Sequence, residues 1–392
     1  MQVEKVSNTL HKFTLSLLDQ PDAVTVNLAA CVGQDGILLV DTGWTQTAEK
    51  LNKKVRELGD GNVKLIIITH PHLDHYGGSA PFGKEATLIA HKNARDELAG
   101  RYFALDKLPG QELPIIEVKD ELSLHFNGEE IHIISAPGHT HSDMVVYFVN
   151  SGIVCLGDLV LADAFPPLDL PRGGNAEQYV ESIGKLITLF PDDVTFITGH
   201  GRDYTLGDLK EHLRMAVSTT DLIKKGIADG RNAQDMIEED LLKDWAAWSI
   251  PQLTSETWIT QTYEGLTGQA KKSIAEPLTY TIVEKGIQAA VEQYQELKDS
   301  QPDGYDFGEN HLNMLGYQLL WREMYDAAIQ VLKLNIQAYP ESANPYDSLG
   351  EAYMTIGDNE LAIKYYEKAL AINPETPSAI GALERLRSAS ED

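Results

Sequence analysis

The chain has 392 residues, more than one ordinary domain holds and enough for two or three. It is 43% hydrophobic and 23% charged, the balance of a globular protein with a large core, which excludes a disordered chain. A formal net charge of -27 repels phosphate backbones, so nucleic acid is not an expected partner.

The N-terminal MQVEKVSNTLHKF has no apolar run after a basic start, and no 18-residue apolar stretch follows anywhere. No membrane association and a cytoplasmic location are therefore expected. The two cysteines, Cys31 and Cys155, lie in apolar runs and read as buried free thiols.

In chain order, short β-rich runs come first: LHKFTLSL, AVTVNLAACV, GILLVDTG, VKLIIITH, ATLIAH, EIHIISAPG, DMVVYFV, GIVCLGD and DVTFITGH. Helical stretches fall between them at Thr45–Leu58, Asn93–Tyr102 and Ala176–Leu189. Many short strands with interspersed helices predict an α+β sandwich covered by helices, not a doubly wound parallel sheet. From about Leu206 the pattern is helical, with apolar residues recurring at three and four.

A repeat lies at the C-terminus. Tyr346, Leu349, Gly350, Tyr353, Ala362, Tyr366, Ala369 and Pro374 form one unit. Leu312, Leu315, Gly316, Leu319, Ala328, Leu332, Asn335 and Pro340 form a looser copy about 34 residues earlier. Over roughly 310–377 the chain resembles the tetratricopeptide family. Helices at Tyr280–Lys298 and Ser378–Ser388 are expected to cap the two units, and SQPDGYDFGEN to link them to the preceding region. The expected division is 1–205 catalytic, 206–300 a helical extension, and 301–392 repeats.

The chemistry-bearing segment is ITHPHLDHYGG after the apolar VKLIII. His70 and His72 are two apart, so an extended backbone points both imidazoles the same way. Asp74 and His75 follow where the chain must turn. One such His is ordinarily a surface or core imidazole, but three His and one Asp in six residues point to metal binding.

This pattern, HPHLDH, resembles the H-x-H-x-D-H signature of the metallo-β-lactamase superfamily. Downstream, SAPGHTHSD supplies His139, CLGD supplies Asp158 and FITGHG supplies His200, each at a strand end. The resemblance covers about residues 10–205. It implies an αββα sandwich in which one metal takes His70, His72 and His139, the other takes Asp74, His75 and His200, and Asp158 bridges them. Imidazole and carboxylate ligands without thiolate imply two zinc ions, with iron or manganese as alternatives. The implied nucleophile is a metal-bridging hydroxide, with Asp74 as the catalytic residue that orients it or takes its proton. In the family, an Asp at the position of Asp41 supports the ligands; a cap before the Thr45–Leu58 helix is the alternative reading.

In the oxygen-reducing flavodiiron relatives of the family a Glu commonly stands at the position of His72, so the resemblance implies hydrolysis rather than redox chemistry. The bridging Asp158 looks more like the fold's thioesterases, lactonases, phosphodiesterases and sulfatases than its dedicated β-lactamases. The expected activity is hydrolysis of a small-molecule ester, thioester, lactone or lactam. A phosphodiesterase or sulfatase is one alternative, and a tetratricopeptide adaptor with a scaffold metal domain is another. The repeats are expected to serve a homodimer or a protein partner.

Loops set the substrate. Candidates are the loop after Gly33, Arg101–Leu113 and ADAFPPLDLPRGG, with Phe165 and Leu168 as a pocket wall and Arg172 near a substrate anion. A plain connector is the competing reading of that last stretch. Trp245, Trp248 and Trp258 read as core anchors. His141 reads as a solvent-facing loop residue, and His11, His91, His125, His132, His212 and His311 as ordinary imidazoles.

Overall fold

The structure, a computed structural model, describes residues 1–16, 25–59, 62–99, 113–250, 253–269, 271–302 and 304–388. It divides into two compact units, one within residues 1–270 and one from Lys271 onward.

The first unit holds two sheets. One has seven strands in sequence order: β1 (Gln2–Lys5), β2 (Leu10–Ser16), β3 (Thr25–Gly33), β4 (Gly36–Val40), β5 (Val63–Ile68), β6 (Thr87–His91) and β7 (Ile116–Val118). Pairing is antiparallel through β4 and parallel from β4 to β7. The other has five strands: β8 (Glu121–Phe126), β9 (Glu129–Ser135), β10 (Met144–Phe148), β11 (Ile153–Cys155) and β12 (Thr195–Ile197). It is antiparallel except for the β11–β12 pair.

Strand β4 shows why the sheets stack. Its five residues are all buried. Alternate side chains serve opposite faces: Leu38 and Val40 pack with Ile133, Val146 and Phe148 of the second sheet. Ile37 and Leu39 pack outward with Leu51 and Val55 of α1 (Ala48–Arg56) and with residues around α2 (Leu73–Tyr76) and α3 (Lys92–Leu98). The far face of the second sheet, with Val145, Val154 and Phe196, is covered by α4 (Ala176–Leu189) and α5 (Leu206–Ala228). The order is helices, sheet, sheet, helices, as expected. Truncating a fully buried residue such as Leu38 to Ala would cost about 2–5 kcal/mol.

Helices α6 (Ala233–Glu238) and α7 (Ser255–Thr267) continue this unit. Trp258 is 1% exposed within the same core, and its Nε1–H donates to Thr219 Oγ1 at 2.8 Å. Trp245 and Trp248 are half-buried against that core. Residues 206–269 thus pack with the sandwich.

In the second unit, β13 (Lys272–Ser273) pairs with β14 (Tyr305–Asp306), and six further elements precede or form the repeats: α8 (Ala275–Lys285), α9 (Ile287–Ser300), α10 (Glu309–Trp321), α11 (Tyr325–Ala338), α12 (Ala343–Thr355) and α13 (Asn359–Ile372). A final helix, α14 (Pro377–Ser388), follows. The expected single helix Tyr280–Lys298 is two helices, broken at Gly286 with φ +86, a left-handed conformation that ends α8. The repeat is visible as packing. A Cβ on Gly316 would lie 2.5 Å from Leu332, and one on Gly350 would lie 2.9 Å from Tyr366. Only glycine lets each helix pair approach so closely. The three-part division expected from sequence is finer than these two units: 206–269 packs with the first, and α8 and α9 pack with the repeats.

The sequence reading omits β1, β7 and β8, and also the two-residue strands β13 and β14. Strands β1 and β7 are short and largely exposed, with little apolar alternation. Strand β8, ELSLHF, does carry a period-two pattern. Both cysteines are free and buried. Among the described residues, no helix is long and apolar enough to cross a membrane.

Candidate metal centre

Seven side chains from distant segments meet at one set of strand ends. Strand β5 ends at Ile68 and delivers His70. His72, in extended conformation, starts α2, whose first turn carries Asp74 and His75. His139 follows β9 after Ala136, Pro137 and Gly138. Asp158 lies in a 3-10 turn after β11, and His200 follows β12. The two last turns nearly touch: a Cβ on Gly199 would lie 2.1 Å from Asp158 Oδ1, so only glycine fits there.

Two overlapping donor groups result. His70, His72, His139 and Asp158 form one; Asp74, His75, Asp158 and His200 form the other. Within each, the donor atoms lie within 4.8 Å of one another, and Asp158 belongs to both. Asp158 Oδ1 is 3.0 Å from His75 Nε2 and 3.2 Å from His200 Nε2, while Oδ2 is 3.7 Å from His70 Nε2.

Each imidazole has one nitrogen tied away from the centre. His72 Nε2–H donates to Asp169 Oδ2 at 2.8 Å, and His75 Nδ1–H donates to Asp41 Oδ2 at 2.8 Å. His139 Nδ1–H donates to the Pro167 carbonyl at 2.8 Å, and His200 Nδ1–H to the Thr25 carbonyl. His70 Nδ1 lies 3.1 Å from Thr69 Oγ1. These partners turn the other nitrogen of each ring inward, where it becomes a lone-pair donor once an ion displaces any proton on it. Inside, His70 Nε2, His75 Nε2 and Asp158 Oδ1 are buried without an aligned hydrogen bond. Buried polar atoms are costly without partners, and these atoms fit a divalent cation. The described donors are nitrogen and oxygen only, a set that suits zinc, iron or manganese.

The charges differ between the groups. Burial pushes His70 well below its ordinary value, and His75 beside it adds to the effect; burial also lowers His139. These rings are neutral, as a metal ligand must be. For His75 burial opposes a proton, but Asp158, Asp74 and Asp41 overcome it and raise the ring well above its ordinary value. His200 is likewise raised to about 10, chiefly by Asp158 against burial. Asp158 is held well below the usual carboxylate range by His200 and His75, again against burial. Asp74 Oδ2 is 3.2 Å from His200 Nε2 and 3.6 Å from His75 Nε2.

Asp41, left open between two readings, is 2% exposed and faces the site. It accepts from His75, from Thr69 Oγ1 and from Thr69 N. It caps no helix: the turn before α1 has no side-chain cap. Asp143, missed by the sequence reading, accepts from Gly138 N, Thr140 N and Thr140 Oγ1 and so shapes the loop carrying His139. Asp169 was missed as the partner of His72; its only sequence signal was an acid in the loop after Asp158.

Three loop expectations need correction. Arg172 is 8% exposed and paired with Glu97 and Asp169, so it is engaged within the protein rather than offered to a substrate anion. Phe165 and Leu168 are 0% and 3% exposed, and Phe165 stacks on Trp258 in the core instead of walling a pocket. The loop after Gly33 joins the ends of β3 and β4 remote from Asp41 and bonds to Asn127. Of Arg101–Leu113, all but Leu113 lies outside the described residues. His141 is 34% exposed at its side chain and reaches Glu97 Oε1 at 3.4 Å. His212 is buried against Tyr179, and His91 bonds the Lys119 carbonyl. His132 lies between Glu121 and Glu130, and His311 pairs with Asp306.

The family model of the metallo-beta-lactamase superfamily matches residues 20–200, and that of the tetratricopeptide repeat matches 343–376. The hydroxyacylglutathione hydrolase GloC of Haemophilus influenzae is 30% identical over 179 residues, covering 42% of this chain and 80% of that one. A hydroxyacylglutathione hydrolase of a Synechococcus strain is 29% identical over 175 residues, covering 45% of this chain and 63% of its own length. A solved metallo-beta-lactamase from Pontibacter korlensis is 19% identical with a TM-score of 0.48, covering 55% of this chain and 98% of that one. With a sandwich that gathers HPHLDH, His139, Asp158 and His200 at one set of strand ends, this chain belongs to the metallo-beta-lactamase superfamily of hydrolases and carries a tetratricopeptide repeat near its C-terminus.

Proposed function

We propose that the protein is a binuclear zinc hydrolase acting on a thioester, within residues 1–205, with the repeats at 301–392 serving a partner protein. The observation that carries the metal reading is the inward nitrogen on each of the five rings. His70, His72 and His139 would hold one ion and Asp74, His75 and His200 the other, with Asp158 within reach of both groups. When bound, such a pair of ions supplies a water acidic enough to attack at neutral pH and a positive pole for the developing oxyanion.

The chain's own residues do the positioning. Asp41 and Asp169 fix the ring planes of His75 and His72. Asp74 is the most accessible site carboxylate, with 19% side-chain exposure against 8% for Asp158 and 2% for Asp41. It is therefore the group to orient the attacking water and accept its proton. A thiolate, with a pKa near about 8.5 in its thiol, leaves without a dedicated acid. Such a leaving group suits a site whose other ionisable side chains are committed to holding ions. The substrate class is favoured by the relatives named for hydroxyacylglutathione hydrolysis.

The test is metal analysis of the purified chain under metal-replete conditions, followed by assays on a hydroxyacyl thioester of glutathione, a lactone, a β-lactam and a phosphodiester. Two ions per chain and fastest turnover of the thioester are expected. Much less than two ions sinks the binuclear centre; faster turnover of another substrate sinks the thioester.

A further inference from the structure

Two of the five rings in the centre are tied to carboxylates, one in each donor group, and the carboxylates are supported differently. Asp41, behind His75, accepts from the neutral donors of Thr69. Asp169, behind His72, is held by a cation: Arg172 Nη1 lies 2.9 Å from Asp169 Oδ2, the same oxygen that accepts from His72. Arg172 Nε lies 2.9 Å from Glu97 Oε2, and Glu97, on α3, is 0% exposed. The contacts run from α3 through the loop after Asp158 to one ring. Backbone bonds fix that loop: Asp169 N donates to the His139 carbonyl at 2.9 Å, and Gly174 N donates to the Asp169 carbonyl at 2.8 Å.

A buried ion pair is a poor source of stability, since desolvation consumes most of its Coulombic gain. Its geometry is nonetheless restrictive. Arg172 holds both oxygens of Asp169, its backbone N–H donating to Oδ1 at 3.2 Å and its Nη1 to Oδ2 at 2.9 Å. The charge of Glu97 beside Nε keeps the guanidinium in place, and together these restrict the orientation of the carboxylate. That carboxylate leaves His72 one tautomer, with Nδ1 facing His139 Nε2 at 3.0 Å. The carboxylate that supports the second donor group is Asp41, whose donors besides His75 are the neutral groups of Thr69.

We propose that Glu97, Arg172 and Asp169 form a positioning chain that sets the ion affinity of the His70, His72 and His139 group separately from that of the Asp74, His75 and His200 group. The assignment rests on the binuclear reading. Asp169 and Arg172 touch no reacting atom; they act through His72.

The experiment uses the full chain, wild type and as Asp169→Ala, Asp169→Asn and Glu97→Gln, with chelator-competition titration of zinc and proton NMR of the cobalt(II)-loaded protein. Asp169→Ala is expected to weaken one class of ion by about 10–100-fold and leave the other unchanged. It should also lose one exchangeable imidazole N–H signal, that of His72 Nε2. Asp169→Asn keeps an acceptor, so it should retain the signal and recover part of the affinity. If Asp169→Ala does not fold, Asn and Glu97→Gln carry the test, each weakening the same class by a smaller factor. Wild-type protein that takes up a single ion overturns the binuclear reading and this assignment with it. Two ions in the wild type, with both classes weakened equally or neither weakened in the folded variants, overturns the positioning chain alone.

Discussion

The two compact units put buried polar groups to opposite uses. In the first, Asp41, His70, His75, His139, Asp143 and Asp158 are each at most 6% exposed, and all gather near the ends of β4, β5, β9 and β11. In the second, the interior is mostly apolar and close-packed, and its buried polar residues include Asn335 on α11 and the adjacent Asp347 and Ser348 on α12. Burying carboxylates and imidazoles costs free energy unless they are paired or bind a cation. The first unit therefore accepts a concentrated cost at one pole, which an ion would offset. The second buries no imidazole among its described residues, and its buried Asp347 and half-buried Glu351 are bonded by the hydroxyls of Ser378 and Tyr317, while its glycines serve helix approach.

The sharpest way to break this contrast is Asp158→Ala. It removes the carboxylate common to both donor groups, which lies 3.0 Å from His75 and 3.2 Å from His200. Thioester turnover should fall on the order of 10³-fold, the scale of losing a preorganised electrostatic group. Retention of kcat/KM within about tenfold would remove the polar pole from the chemistry.

A smaller effect tests a buried polar group of the first unit that lies away from the pole. His212 is fully buried, shares a hydrogen bond of 2.7 Å with Tyr179 and packs beside Trp248. Burial holds its pKa down to about 4, against an ordinary value of 6.5. Between those values the unfolded chain binds a proton that the folded chain refuses. Stability should thus fall as pH drops through that window and level off below it, by up to about 3 kcal/mol. Urea unfolding at several pH values measures this, and His212→Gln should flatten the dependence. An unchanged slope in the variant would assign the acid loss to other groups.

The smallest effect concerns the repeats. Gly350→Ala places a Cβ 2.9 Å from the Tyr366 ring. The overpacking should cost about 1–3 kcal/mol, read as a lower urea midpoint of the repeat unit, with thioester turnover unchanged. A matching loss of turnover would show that the two uses are not separate.

The same contrast explains what is legible in the sequence. The repeat carries its signals within one helix pair, at a fixed period, so Gly316 and Gly350 stand out from the amino-acid order alone. HPHLDH is equally local. What stays hidden are the relations between segments far apart in the chain. Asp169 and Glu97 are separated by 72 positions, and nothing near either in sequence indicates that Arg172 joins them. An arginine in a loop after an acidic turn looks the same whether it faces a ligand or a buried glutamate. The break at Gly286 is masked because α8 and α9 both carry helical periodicity up to it. Conversely, runs such as GILLV, apolar on both faces, show in the sequence that the first sheet is covered on both sides, while the αββα order itself comes with the family resemblance.

The spacing of the seven donors also has a kinetic consequence. Four of them lie between His70 and His75, on a segment that can approach an ion before the rest of the chain is ordered. His139, Asp158 and His200 arrive only with the closing of β9, β11 and β12, contacts of long sequence separation and hence slow to form. An ion captured early would be held loosely until that closure, and the last residues to arrive would convert it from a passenger into a clasp between the two sheets.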